Sequence, residues 1–351
     1  MGCPFKQGSF EMEYEVKSIL GKALYNDVLR ITDGDTDFTL FKNKTVLITG
    51  ASKLTGYYAV CSFLAENDLY SNNVRVVAVD SDERLFELYG KLTYRQDIDL
   101  IVSRDYSNLT TNKTDFVIHT EDIDDIDGTK AVLNLLDFIR RNRAVALLLS
   151  KSDIYGSVYN GRDTIFEADM GYCDPAEKSG RRIQLQRMAE SLALSLCRDG
   201  VDIRLGRICR VFGYKKSYAE DGVEDILRAA MNGTNLVIDM KKSLPQSFIY
   251  PSDAVEAIFR IIENGEPAQI FNIASGYFSS DFQVANECVS LFSDKELKLV
   301  RQNDIHPLSP MAPTLPKLDI GKLSSLGFES KTDLRSGIKR SCEIIKEGCL
   351  C

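Results

Sequence analysis

From Thr45 onward the sequence alternates short β-branched runs with longer helical stretches, and that order constrains the fold more than any other feature. Strand-like runs fall at 45–49, 74–79, about 99–103, 115–119, 144–149, 202–207 and 269–273. Helical periodicity occupies about 56–67, 129–141 and 181–198 between them. Such an alternation predicts an α/β protein with a Rossmann-type, doubly wound parallel sheet, because parallel neighbours need helical crossovers. With 351 residues, 44% of them hydrophobic, the chain has material for a large core.

The first crossover is the most informative. "KTVLITGASKLTGYYA", residues 44–59, runs as a strand, breaks at Gly50 and resumes as a helix near Gly56. The next strand, "VRVVAVD", ends in Asp80. A glycine-rich turn at a helix N-terminus suits a pyrophosphate, and a carboxylate about 20 to 25 residues on suits ribose hydroxyls. Lys53 stands where a middle glycine would let the backbone approach the phosphates. Its ammonium either pairs with a phosphate or sits in solvent.

Three spans follow from the pattern. Residues 1–43 form an N-terminal extension, with a helix around 13–30 expected to cover one edge of the fold. Residues 44–212 plus about 244–274 form the dinucleotide-binding domain. Residues 213–243 plus 275–351, with a proline cluster at 307–316, form a smaller substrate lobe over the carboxyl ends of the strands.

Composition excludes several classes. A formal net charge of -8 and a pI near 5.1 give no basic footprint for nucleic acid. Nine cysteines without a CxxC pair, and two distant histidines, His119 and His306, indicate neither a metal site nor a disulfide framework and suit a reducing cytoplasm. No apolar run is long enough to cross a membrane, and Lys6 departs from the myristoylation pattern, so a soluble protein is expected. The acidic run "HTEDIDDIDG" is expected to be a solvated loop, since Ile126 breaks the calcium-loop pattern, and His119 a packed strand-end residue.

Several runs together, "TVLITGASKLTG", "DFVIHTED", "LLLSKSDIYG", "RMAESLALSLCRDGVDIRLGRICRVFG" and "FIYPSDAVEAI", resemble the NAD-dependent epimerase/dehydratase family of extended short-chain dehydrogenases. The resemblance covers about residues 40–345. It implies NAD as cofactor, a nucleotide-sugar substrate and a dimer built on paired helices. It also implies cofactor contacts at Gly50, Ser52, Lys53, Leu54, Gly56, Asp80, Asp105, Tyr106 and Thr120. If a dinucleotide binds, Asp80 favours NAD over NADP.

The family's proton-transfer pair is a Tyr with a Lys four residues later on one helical face, plus a Ser or Thr. Anchored on "RMAE", those positions hold Arg182, Gln186 and Lys151. None of the fifteen tyrosines has a Lys four residues downstream. Arg210 and Gln246 replace the expected substrate-binding Asn and Arg, and Gln lacks a bidentate cationic fork. The sequence therefore predicts a non-catalytic relative that binds a nucleotide, alone as a homodimer or paired with an active relative. Two alternatives stay open: an enzyme using Lys151 as base beside Arg182, and an assembly protein without cofactor.

Overall fold

In a computed structural model, seven strands form one parallel sheet: β1 (Thr45–Thr49), β2 (Arg75–Asp80), β3 (Ile98–Val102), β4 (Phe116–His119), β5 (Val145–Lys151), β6 (Ile203–Ile208) and β7 (Ile270–Ile273). The residues described are 14–107, 109, 113–158, 163–215, 222–303 and 317–348. The amino-terminal "MGCPFK", His306 and the proline cluster lie outside them. All seven predicted strands exist, shifted by a residue or so at their ends. Spatial order is β7-β6-β5-β4-β1-β2-β3. The chain reverses direction across the sheet between β1 and β4, whose register pairs Thr49 with His119. That crevice is where doubly wound sheets bind ligands.

Strand interiors are apolar because helices cover both faces. Helix Leu54–Tyr70 is buried around its whole circumference over its first 13 residues. One side meets the sheet, and the other is covered by helices Lys22–Thr32 and Pro251–Asn264. The N-terminal extension covers an outer helical face of the fold, and where one helix around 13–30 was expected it is two, Val16–Leu20 and Lys22–Thr32, divided at Gly21, whose φ of 80° suits glycine. On the opposite face, Ile126–Asn142 packs against Lys178–Arg198.

The smaller lobe carries helices Gly222–Met231, Asp281–Leu291 and Leu334–Gly348. It includes a three-stranded sheet in which Gln246–Ile249 lies between Arg210–Val211 and Phe278–Ser279. Gln246–Ile249, within the span assigned to the dinucleotide domain, therefore belongs to this small sheet. Among the described residues no helix is long and apolar enough to cross a membrane.

Candidate functional site

The loop after β1 is fixed by glycine geometry. Gly50 has a φ of 69°, and a Cβ there would lie 2.6 Å from Thr120 Oγ1 and 2.7 Å from the Glu121 nitrogen. A Cβ on Gly56 would lie 2.2 Å from the Gly50 oxygen. These glycines press the loop against helix Leu54–Tyr70 on one side and the chain after β4 on the other. Thr120 donates from Oγ1 to the carbonyls of Thr49 (2.9 Å) and Gly50 (3.0 Å) and pins the two strand ends together. Lys53 caps the helix in extended conformation, and its ammonium lies 3.8 Å from Asp122 Oδ2. Lys53 and Leu54 both face the cavity described below.

Asp80, at the end of β2, is buried. Its Oδ2 accepts hydrogen bonds from the Ser52 N–H (2.8 Å) and hydroxyl (2.7 Å), and its Oδ1 from the Asp82 N–H (2.9 Å). Ser52 is thereby locked to β2. Asp105 is exposed and holds Ser107 and Asn134. Tyr106 is wholly buried and donates to Glu121 Oε2 at 2.7 Å.

The acidic run after β4 is the solvated loop expected from its charge at Asp124, Asp125 and Asp127, but not at Glu121 and Asp122. Glu121 also accepts from the Ser81 hydroxyl at 2.9 Å, and burial pushes its carboxyl above the usual range. Asp122 sits between two cations, 2.7 Å from Lys151 Nζ and 3.8 Å from Lys53 Nζ. Asp124 is 3.7 Å from Arg182, and Asp125 caps helix Ile126–Asn142 by accepting from the Gly128 N–H at 2.7 Å. Asp124, Asp125 and Asp127 are exposed to solvent, Asp127 as the partner of Lys130. His119 is packed as expected: 2% exposed, with Nδ1 2.6 Å from Thr49 Oγ1, and burial pulls its pKa down to about 4.

Lys151 ends β5, and its N–H donates to Gln186 Oε1 at 3.0 Å. Gln186 is 2% exposed, and its Nε2 has no partner, which leaves an amide donor at the cavity wall. One turn earlier, Arg182 pairs with Asp153. The spacing of four brings Arg182 and Gln186 to the same helix face, but their partners come from the chain at and after Lys151. Glu190, further along that helix, accepts from Ser150 (2.6 Å) and pairs with buried Arg207 (2.7 Å), which locks the helix to β5 and β6.

On the lobe side, Arg210 pairs with Asp281 at 2.6 Å and stacks over Phe248. Lys53, Leu54, Thr120, Lys151, Gln186, Arg210 and Gln246 share one cavity of about 560 Å³ with Glu121, Asp122 and Asp153. Asp80, Asp105, Tyr106, Gly50, Ser52, Gly56 and Arg182 do not line it. Three of its lining cations, Lys53, Lys151 and Arg210, face three anions, so the surface is close to neutral. No tyrosine among the described residues lines it. Sequence reasoning missed Asp153 and Ser81 and discounted Glu121 and Asp122. The usable signal was the pairing of surplus cations at Lys53, Lys151 and Arg182 with surplus acids at 121–124.

A parallel sheet in 3-2-1-4-5-6-7 order, with a ligand-sized cavity at its switch point and a second lobe over it, defines a Rossmann-type fold. The sequence profile of the NAD dependent epimerase/dehydratase family matches residues 46–274, and the chain belongs to that family. It is 30% identical over 211 residues to UDP-glucuronic acid decarboxylase 6 of Arabidopsis thaliana, a match spanning 59% of each chain. It is 23% identical over 335 residues to the UDP-N-acetyl-alpha-D-glucosaminuronate decarboxylase of Bacillus cytotoxicus, spanning 87% of this chain and 98% of that one. The fold is similar to the NAD complex of dTDP-glucose 4,6-dehydratase from Bacillus anthracis, with a TM-score of 0.70 at 13% identity, covering 87% of this chain and 97% of that one. UDP-glucuronic acid 4-epimerase from Bacillus cereus, also solved with NAD, gives a TM-score of 0.70 at 16% identity, with 86% and 99% covered.

Proposed function

We propose that this chain is a nucleotide-binding, non-catalytic member of its family, which holds NAD and a nucleotide-sugar type of ligand without turning the latter over. The observation that carries this is the cavity wall: no tyrosine among its described lining residues, and Gln186 and Lys151 at the heart of the site. A Gln does not titrate, and Arg182 cannot release a proton near neutral pH. General acid-base groups contribute on the order of 100- to 10,000-fold, and both members of the pair are missing.

The loop end of the site fits a dinucleotide. Gly50 turns at positive φ, and the first turn of helix Leu54–Tyr70 opens toward the cavity through Leu54 and Thr55. The N–H groups of a first helical turn lack acceptors within their helix and suit a pyrophosphate. Lys53, Leu54, Thr55 and Thr120 are the residues that would hold it. NAD, when bound, supplies hydride acceptance and donation; Lys151, Gln186, Arg210 and Gln246 line the space left for a second ligand. Gln186 Nε2 is buried beside this space without a partner, so a ligand group that reached it would satisfy that donor. The relatives named above act on UDP- and dTDP-sugars, which makes that class the first to try.

Mass spectrometry of the denatured protein tests for bound NAD, and a panel of UDP- and dTDP-sugars tests for turnover. We expect binding and no epimerase, dehydratase or decarboxylase product. Restoring Arg182→Tyr, Gln186→Lys, Lys151→Thr and Gln246→Arg alone takes Arg182 from Asp153 and leaves Asp122 only the more distant Lys53. Measurable turnover is therefore expected only when Asp122→Ala and Asp153→Ala are added. Turnover by the unmodified protein that Lys151→Ala abolishes would replace this reading with a lysine-base enzyme.

The oligomer we propose is a homodimer across helices Ile126–Asn142 and Lys178–Arg198, whose outer faces expose Leu133, Met188 and Leu192.

A further inference from the structure

We propose that Glu121 determines whether the adenosine half of a dinucleotide can enter, because its carboxylate bridges the ends of β2 and the chain after β3 across the crevice. The inference rests on the dinucleotide reading of the loop after β1. Three segments meet at this bridge. Ser81 follows β2, Tyr106 follows β3, and Glu121 follows β4; Glu121 Oε1 accepts from Ser81 at 2.9 Å and Oε2 from Tyr106 at 2.7 Å.

In an open switch-point crevice the carboxyl ends of the strands diverge and leave room for a base and its ribose. Here side chains join those ends. Glu121 lines the 560 Å³ cavity while Ser81, Asp80 and Tyr106 do not, so Glu121 stands between the cavity and the ends of β2 and β3. Behind that wall Asp80, the carboxylate suited to ribose hydroxyls, already serves Ser52 and Asp82. The bridge is well anchored. Tyr106 is fully buried and its hydroxyl is held by Glu121, and hydrogen bonds to a charged acceptor are the stronger kind.

With the bridge closed, the cavity accepts the pyrophosphate end and the lobe-side ligand, and the adenosine end enters only when the bridge opens, which weakens NAD binding without abolishing it. Removing the carboxylate should therefore strengthen the binding of ligands that carry adenosine and leave others alone. Titration calorimetry with NAD, ADP-ribose and nicotinamide mononucleotide separates these cases. For Glu121→Ala we expect NAD and ADP-ribose to bind at least about tenfold more tightly, and the mononucleotide to be unchanged. Glu121→Gln can still accept from one hydroxyl and donate to the other, so it should recover only a small part of that gain. The double variant Ser81→Ala/Tyr106→Phe keeps the carboxylate but frees it, and should move affinity in the direction of Glu121→Ala; it also serves where the alanine variant does not fold.

Equal gains for the Gln and Ala variants would overturn the inference, because charge and not the bridge would then be the barrier. An equal gain for the mononucleotide, or NAD affinity unchanged across all variants, overturns it too while leaving the dinucleotide reading in place. Failure of every variant to bind NAD or ADP-ribose overturns both.

Discussion

His119 shows what burial does to a group whose chemistry suits acid-base catalysis. Its folded pKa of about 4 lies below the ordinary value of 6.5, chiefly through burial, with the Asp122 charge opposing the shift. Between those values the unfolded chain takes up a proton that the folded protein refuses. The His119 contribution to stability should therefore fall as pH drops from 6.5 toward 4, by about 3 kcal/mol at most, while Glu66, raised by burial to about 7, contributes with the opposite sign. The difference in denaturation midpoint between wild type and His119→Gln across that range isolates the His119 part. With two histidines in the chain, a proton NMR titration that shows both moving near 6.5 would contradict the burial argument. Single residues of this kind were legible from position alone: a histidine ending an apolar strand packs. Glu121 and Asp122 were not, because acid content indicates a solvated loop unless one asks where the cations at Lys53 and Lys151 find partners. The charges of Asp122 and Lys151 on two separate stretches of chain form a compensated pair, visible only when those stretches are known to touch.

At the scale of elements, the sheet was readable and the lobe was not. Seven apolar runs became seven strands because each is long enough to be buried on both faces. The small sheet is assembled from strands of two to four residues whose pairing depends on distant chain segments, and no local pattern announces that. Helix Leu54–Tyr70 carried an unused signal. A helix apolar all round must be covered all round, so its sequence already called for a layer outside it, which the N-terminal helices supply. The pair Ile126–Asn142 and Lys178–Arg198 shows the reverse case. Met188 and Leu192, spaced four apart, remain 39% and 36% exposed, beside Leu133 at 44% on the neighbouring helix. If these faces join two copies, Leu192→Arg places a charge in the seam and should yield monomers by analytical ultracentrifugation without lowering thermal stability. A wild type that sediments as a monomer at every concentration would dispose of the dimer.

Over the whole molecule, the two lobes and the N-terminal helices meet at one buried polar cluster. Asp27, from Lys22–Thr32, accepts hydrogen bonds from Tyr58 of helix Leu54–Tyr70 at 3.4 Å and from Tyr250 ahead of helix Pro251–Asn264. Arg340 of helix Leu334–Gly348 lies 3.6 Å from its other oxygen. Nearby, Glu347 accepts from the Ala23 N–H at 2.8 Å, so residues more than 300 apart in sequence are joined. Burial raises the Asp27 pKa, while the tyrosine hydroxyls and Arg340 pull against that shift. A buried acceptor serving several elements is costly to remove, since its partners stay behind without it. Asp27→Ala should destabilise the protein by about 2–4 kcal/mol, mostly by leaving the Tyr250 hydroxyl and Arg340 underpaired. Asp27→Asn retains an acceptor for Tyr250 and should cost less than half as much. Because the cluster ties the extension, the sheet and the lobe together, wild type should unfold in a single calorimetric transition, and the alanine variant should still do so at lower temperature. Two separate transitions in the wild type would mean that the lobes are energetically independent and that the Asp27 cluster does not couple them.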